Sequence, residues 1–146
     1  MKRYLLVFLI ASLATTLHAK FREEWQTDYR KALKQARTEH KQVLLNFTGS
    51  DWCGWCIRLK KEVFDQPEFI RLAEKHLVLV EVDFPQSGSL PRRVLEQNKK
   101  LRRGYCVEEF PTLVLLDCNG KKLKERTGYM EGGVAEIRRW IHAPLL

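Results

Sequence analysis

Two cysteines three positions apart, entered from an apolar run and followed by a helical one, constrain this chain more than any other feature. Val43-Leu44-Leu45-Asn46-Phe47 reads as a mostly buried strand that stops at Thr48-Gly49-Ser50. Asp51-Trp52-Cys53-Gly54-Trp55-Cys56 comes next, and from Cys53 onward Cys56, Leu59 and Val63 fall on one helical face. A strand turning directly into an amphipathic helix belongs to an α/β chain whose sheet is covered by helices. The spacing also has chemical meaning. Disulfide exchange needs one thiolate to attack and a second thiol close enough to release the mixed disulfide. A helix N-terminus presents unpaired N–H groups and the positive end of the helix dipole, which favour the thiolate of the first cysteine. Cys53 therefore reads as the exposed attacker, and Cys56, one turn inside, as the shielded resolving thiol.

Two other readings of the pair stay open at this point. Half of a zinc site would need two more ligands, yet Cys106 and Cys118 are separated by 11 residues rather than the two to four of a zinc knuckle. A structural disulfide of no chemical use is the other reading, although so short a loop restricts the unfolded chain little. Of these, exchange chemistry uses the most of the local pattern.

The chain's start has a different character. Lys2 and Arg3 precede an apolar stretch from Tyr4 to Ala14, and Thr15-Thr16-Leu17-His18-Ala19 follows. That order describes a secretory signal peptide over residues 1–19, leaving a single domain over 20–146. The apolar stretch is short for a membrane span, which takes about 18 residues or more. Removing Lys2 and Arg3 lowers the formal charge from +8 by two. Export would make disulfide chemistry the natural context for the cysteines. With 45% apolar and 30% charged residues among 146, disorder and collagen-like repeats are excluded.

The remaining pattern completes an α/β domain. Trp25, Tyr29, Ala32, Leu33 and Ala36 predict a helix over roughly 22–39. Asp65, Pro67 and Glu68 give a helix-start signal with Asp65 as N-cap, so a second helix, or a kinked continuation of the one from Cys53, runs to about 75. A strand follows over 77–84, then a helix opened by Pro91. A hairpin turns at Asn119-Gly120, and a last helix carries Val134, Ile137, Trp140 and Ile141.

Within this order, Thr48 to Cys56 resembles the Trp-Cys-Gly-x-Cys motif of the thioredoxin superfamily, and Glu109-Phe110-Pro111-Thr112-Leu113 resembles its cis-proline loop. The likeness extends over roughly 22–142. It implies a thioredoxin fold, a central mixed β-sheet flanked by helices. It also implies a thiol–disulfide oxidoreductase acting on disulfides of other proteins, with Cys53 and Cys56 as the redox pair and no metal or organic cofactor. An X-Pro bond is cis only about 5–6% of the time in folded proteins, so the residues alone predict trans at Pro111 and the resemblance reverses that. In the family the residue before this proline, here Phe110, offers its backbone to an extended substrate segment. Trp52, Gly54, Trp55, Phe110 and Pro111 are the expected substrate contacts. Where the family keeps a buried Asp beneath its cysteines with a Lys beside it, this chain has Asn46 and Glu81. Asn46 cannot take a proton. Glu81 either serves the catalytic proton transfer or faces water at its strand's end.

Cys118 lies some seven residues beyond Pro111, roughly 23 Å along a strand at about 3.3 Å per residue. A bridge to Cys106 is therefore not expected. Free thiols suit a reducing role better than an oxidising one. Arg92, Arg93, Lys99, Lys100, Arg102 and Arg103 read as a solvated helix face or a surface for an acidic partner. Asp51, Glu108 and Glu109 place acid near the active end, so substrate docking need not use that helix. His40, His76 and His142 read as isolated packing or surface residues. The reading as a whole is a monomeric reductase, periplasmic or otherwise exported, re-reduced by a membrane electron-transfer protein, with no nucleic-acid partner. The alternative is a non-catalytic thioredoxin-fold binding module or chaperone with a structural Cys53–Cys56 bridge.

Overall fold

Leucine- and valine-rich runs form β1 (Gln42–Thr48), β2 (Leu77–Asp83) and β3 (Thr112–Leu116) in the computed structural model, which describes residues 25–144. The expected leader, residues 1–19, lies outside the described residues. These strands are buried on both faces for most of their length, so they read as continuous apolar runs. A fourth strand, β4 (Lys122–Thr127), is rich in charge and closes one edge, where charge opposes pairing with another chain. The sheet order is β2-β1-β3-β4. β1 is parallel to β2 and antiparallel to β3, and β3 is antiparallel to β4. At the β3–β4 turn the Asp117 carboxylate accepts from the N–H groups of Asn119 (2.8 Å) and Lys121 (2.9 Å). Gly120 there takes φ 88°, a conformation glycine adopts without a steric penalty.

Strand alternation sends side chains into two cores. Leu44, Leu77, Leu79, Leu113 and Leu115 face one side. They meet α2 (Gly54–Leu59), which continues into a π-helical turn (Lys60–Phe64), together with α3 (Pro67–His76) and α5 (Gly133–His142). Val43, Leu45, Phe47, Val80 and Val114 face the other side, against α1 (Tyr29–Glu39) and α4 (Arg92–Gly104). Phe69 is fully buried in the first core and packs on Phe64 and Trp25, at centroid distances of 5.0 and 6.5 Å. Phe69→Ala is expected to cost about 3–5 kcal/mol. A urea titration with a lowered midpoint and an unchanged slope would show it.

Local patterning misplaced several boundaries. The first helix begins at Tyr29, not near 22, because Asp28 caps it by accepting from Lys31 N at 3.1 Å. Before the cap, Gln26 pairs with the open edge of β2. Its N–H donates to Leu79 O and its carbonyl accepts from Glu81 N, both at 2.9 Å. Backbone pairing with a distant strand outweighed helical periodicity there, and Trp25 reaches the core from an extended segment. Asp65 is not the N-cap of α3 either. Its N–H closes the π-turn onto Lys60 O at 2.8 Å, leaving Gln66 at the cap and Pro67 in the first turn. His76 and His142 are not isolated, since the ends of α3 and α5 bring their rings to 5.2 Å, edge to face.

Candidate functional site

β1 delivers the chain to the end of the sheet at Thr48, and a turn through Gly49–Asp51 leads it into α2. Cys53 occupies the N-cap position with extended backbone, and its Sγ accepts from Cys56 N at 3.2 Å. Cys53 and Cys56 are joined as a disulfide, with Cα atoms 5.2 Å apart. The expected contrast of one exposed and one shielded sulfur is not present in this disulfide form, where the two residues are 7% and 4% exposed. Bonded sulfurs cover each other. What distinguishes them is their surroundings, for Cys56 lines a small, partly open cavity and Cys53 caps the helix.

That cavity holds about 30 Å³ beneath the pair, and Asn46, Lys60 and Glu81 share its wall with Cys56. A space of this size accommodates a water molecule or so. Asn46 and Glu81 are register partners on the parallel strands β1 and β2, so both project on the side where α2 lies. The Asn46 Oδ1 atom is buried there without a hydrogen-bond partner in the protein. Burial is the main influence raising the Glu81 carboxyl above its ordinary range. Asp83 adds to this, and Lys60 opposes it. Folded Glu81 thus holds its proton more tightly than in the unfolded chain. The associated stability is complete below glutamate's ordinary pKa and is lost as pH rises through the raised value.

Two aromatic groups flank the pair. The Trp52 indole is 43% exposed, and its N–H donates to Phe84 O at 2.8 Å. It lies so close over Gly49 that a Cβ there would sit 2.4 Å from the ring, which explains the glycine. Phe110 meets Trp52 edge-on at 5.9 Å and stacks on Phe84 at 5.3 Å. On the other flank Trp55, 56% exposed, contacts Tyr129 at 5.4 Å. Arg58 lies over both of these rings, and Glu62 accepts from the Arg58 guanidinium and the Tyr129 hydroxyl. The Phe110–Pro111 peptide bond is cis. Phe110 lies two residues before β3 begins at Thr112, so its backbone is outside that strand's ladder. Gly54 is exposed, with open space where a Cβ would point.

Several residues take roles at this rim that the sequence did not show. Asp51 accepts from Gln86 N (2.9 Å), Ser87 N (2.7 Å) and the Ser87 hydroxyl, and so pins the loop after β2 beside Trp52. Those bonds, the Ser87 hydroxyl foremost, lower its carboxyl to about 2. Phe84 and Tyr129 come from segments far apart in the chain, and only folding brings them to Trp52 and Trp55. Cys106 and Cys118 remain free thiols.

An N-terminal cysteine pair on the first helix after β1, with the Phe110–Pro111 loop across a β2-β1-β3-β4 sheet, defines a thioredoxin-fold protein with a dithiol–disulfide centre. The chain belongs to the thioredoxin-like domain family, whose profile matches residues 29–143. It is 42% identical over 112 residues to the disulfide bond reductase DsbH of Chlamydia pneumoniae, covering 77% of this chain and 66% of that protein. It is 32% identical to the thioredoxin-related protein DsbJ of the same organism, over 75% of this chain and 33% of that protein. A solved DsbH oxidoreductase structure superimposes with a TM-score of 0.75 at 36% identity, covering 83% of this chain and 85% of that one. The chain thus spans about two thirds of one curated relative and a third of the other.

Proposed function

We propose that this protein is an exported thiol–disulfide oxidoreductase that reduces disulfides in other proteins. The observation that carries the reading is the Cys53–Cys56 disulfide at the start of α2, with Cys53 Sγ already accepting a backbone N–H. Once the pair is reduced, the same N–H and the helix end favour a Cys53 thiolate. That thiolate attacks a substrate disulfide, forms a mixed disulfide and releases one substrate thiolate. Cys56 then loses its proton and attacks Cys53 Sγ. The second substrate thiolate leaves, and the enzyme is left as the Cys53–Cys56 disulfide. Turnover needs a reductant, which we assign to a membrane electron-transfer protein. The leader read over 1–19 supports export, and the similarity to a protein named disulfide bond reductase supports the reducing direction.

Trp52 and Trp55 form the apolar rim for the incoming polypeptide. Gly54 leaves room for its backbone, and Phe110 and Pro111 present the edge along which an extended segment lies. Glu81 takes the proton from Cys56 across their shared cavity, directly or through a water. Glu81→Gln is expected to slow resolution of the mixed disulfide about tenfold or more, while initial attack by Cys53 stays nearly intact. Rapid-mixing kinetics separate the steps, and unchanged resolution would remove Glu81 from the mechanism. Insulin reduction tests the function itself. A binding module with a structural bridge would show no thiol-dependent turnover.

A further inference from the structure

A groove of about 430 Å³ lies between the last turns of α4 and the loop leading to Pro111, lined by Phe84, Lys99, Arg102, Arg103, Cys106 and Val107. Its floor is apolar. Phe84 and Val107 contribute to it, and the Arg102 guanidinium lies over the rings of Phe84 (5.5 Å) and Phe110 (5.1 Å). Arg102 is held there because its Nε donates to Val107 O at 3.0 Å. Phe110 stacks on Phe84 and touches Trp52, so this floor is continuous with the aromatic rim of the cysteine pair. The charge is one-sided: Lys99, Arg102 and Arg103 face the groove against the single carboxylate of Glu108. Lys99 shares its charge with Glu96 at 3.2 Å, whereas Arg103 has no ion pair among the described residues. Asp51, the acidic residue nearest the pair in sequence, is occupied in holding Gln86 and Ser87.

An apolar floor under a cationic rim is complementary to a polypeptide segment bearing carboxylates around an apolar side chain. We infer that this groove docks an acidic segment of the same polypeptide whose disulfide meets Cys53. The inference rests on the exchange reading above and adds a substrate class to it. It also gives the basic face of α4 a role that the sequence left between solvent and an acidic partner.

Cys106 supplies the test, since it is exposed within the groove while Cys118, half-buried at the hairpin, serves as a reference thiol. In the full-length oxidised protein, a cysteine-free peptide with glutamates flanking a leucine is expected to slow iodoacetamide labelling of Cys106 about fivefold at low ionic strength. Cys118 labelling is expected not to change. The glutamine analogue should protect poorly, about 0.5 M salt should remove the protection, and so should the double substitution Lys99→Gln, Arg103→Gln. This readout requires no turnover. When the same segments are joined to a disulfide, the acidic one should exchange about fivefold faster than its glutamine analogue, and the double variant should bring that ratio close to one. Equal protection by both peptides, or by neither, overturns the inference. Protection by phosphatidylglycerol vesicles but not by the acidic peptide also overturns it, and assigns the groove to a membrane surface. Persisting protection of Cys106 with no exchange of either disulfide would instead sink the exchange reading and leave the docking groove standing.

Discussion

Cys53→Ser is expected to lower insulin reduction by about three orders of magnitude or more, since it removes the nucleophile on which both steps depend. Cys56→Ser is expected to abolish turnover as completely by a different route. Cys53 would still attack, but nothing would resolve the product, so mixed disulfides should accumulate on Cys53 and be released by dithiothreitol. The contrast follows from position. Cys53 sits at the N-cap, beside the rim formed by Trp52 and Trp55, while Cys56 faces the cavity it shares with Glu81. Mass spectrometry of the trapped species distinguishes the two roles. Adducts on Cys56 in a Cys53→Ser variant, with none on Cys53 in the converse variant, would reverse the assignment.

The reduction potential of the pair is expected nearer the roughly −270 mV of thioredoxin than the roughly −120 mV of the strongest oxidants of this fold. A strong oxidant stabilises its reduced thiolate with added cations or donors, which weakens the disulfide by comparison. Here the residues between the cysteines are Gly54 and Trp55, neither of them charged. Arg58, the one cation on α2, is engaged with Trp55, Tyr129 and Glu62. The Cys53 thiolate therefore relies on the helix end and the Cys56 N–H. The gap between the two limits, about 150 mV, corresponds to about 7 kcal/mol for two electrons. Equilibration with dithiothreitol or glutathione resolves so large a difference. A value above about −160 mV would make the protein a disulfide-forming enzyme rather than a reductase.

Much of the fold was legible because its elements are specified locally. The β1 and β2 runs, the Asn119-Gly120 turn and the apolar stripe from Cys56 to Val63 each declare themselves within about ten residues, through side-chain periodicity and turn chemistry. The errors fell where a distant partner overrode a local preference. Gln26 joined the edge of β2 although its neighbours follow a helical period, and Asp65 closed a π-turn although its own context describes a helix cap. His76 and His142, 66 positions apart, met only because α3 and α5 cover the same face of the sheet.

The same division runs through the site. Sequence alone determined that the chain carries two thiols placed where disulfide exchange is possible, because the spacing of Cys53 and Cys56 at a strand-to-helix junction is a local fact of covalent geometry and helix period. Only the tertiary structure decided what surrounds that chemistry. Asn46 and Glu81 come under Cys56 through the register of two parallel strands, and a one-residue slip of β2 against β1 would turn Glu81 to the opposite face. Phe84, Phe110 and Arg102 assemble one flank of the rim and Tyr129 with Arg58 the other, across separations that no sequence window spans. Reactive groups are set by residue type and local spacing, whereas burial, proton affinity and substrate shape depend on which distant surfaces the folded chain presses together.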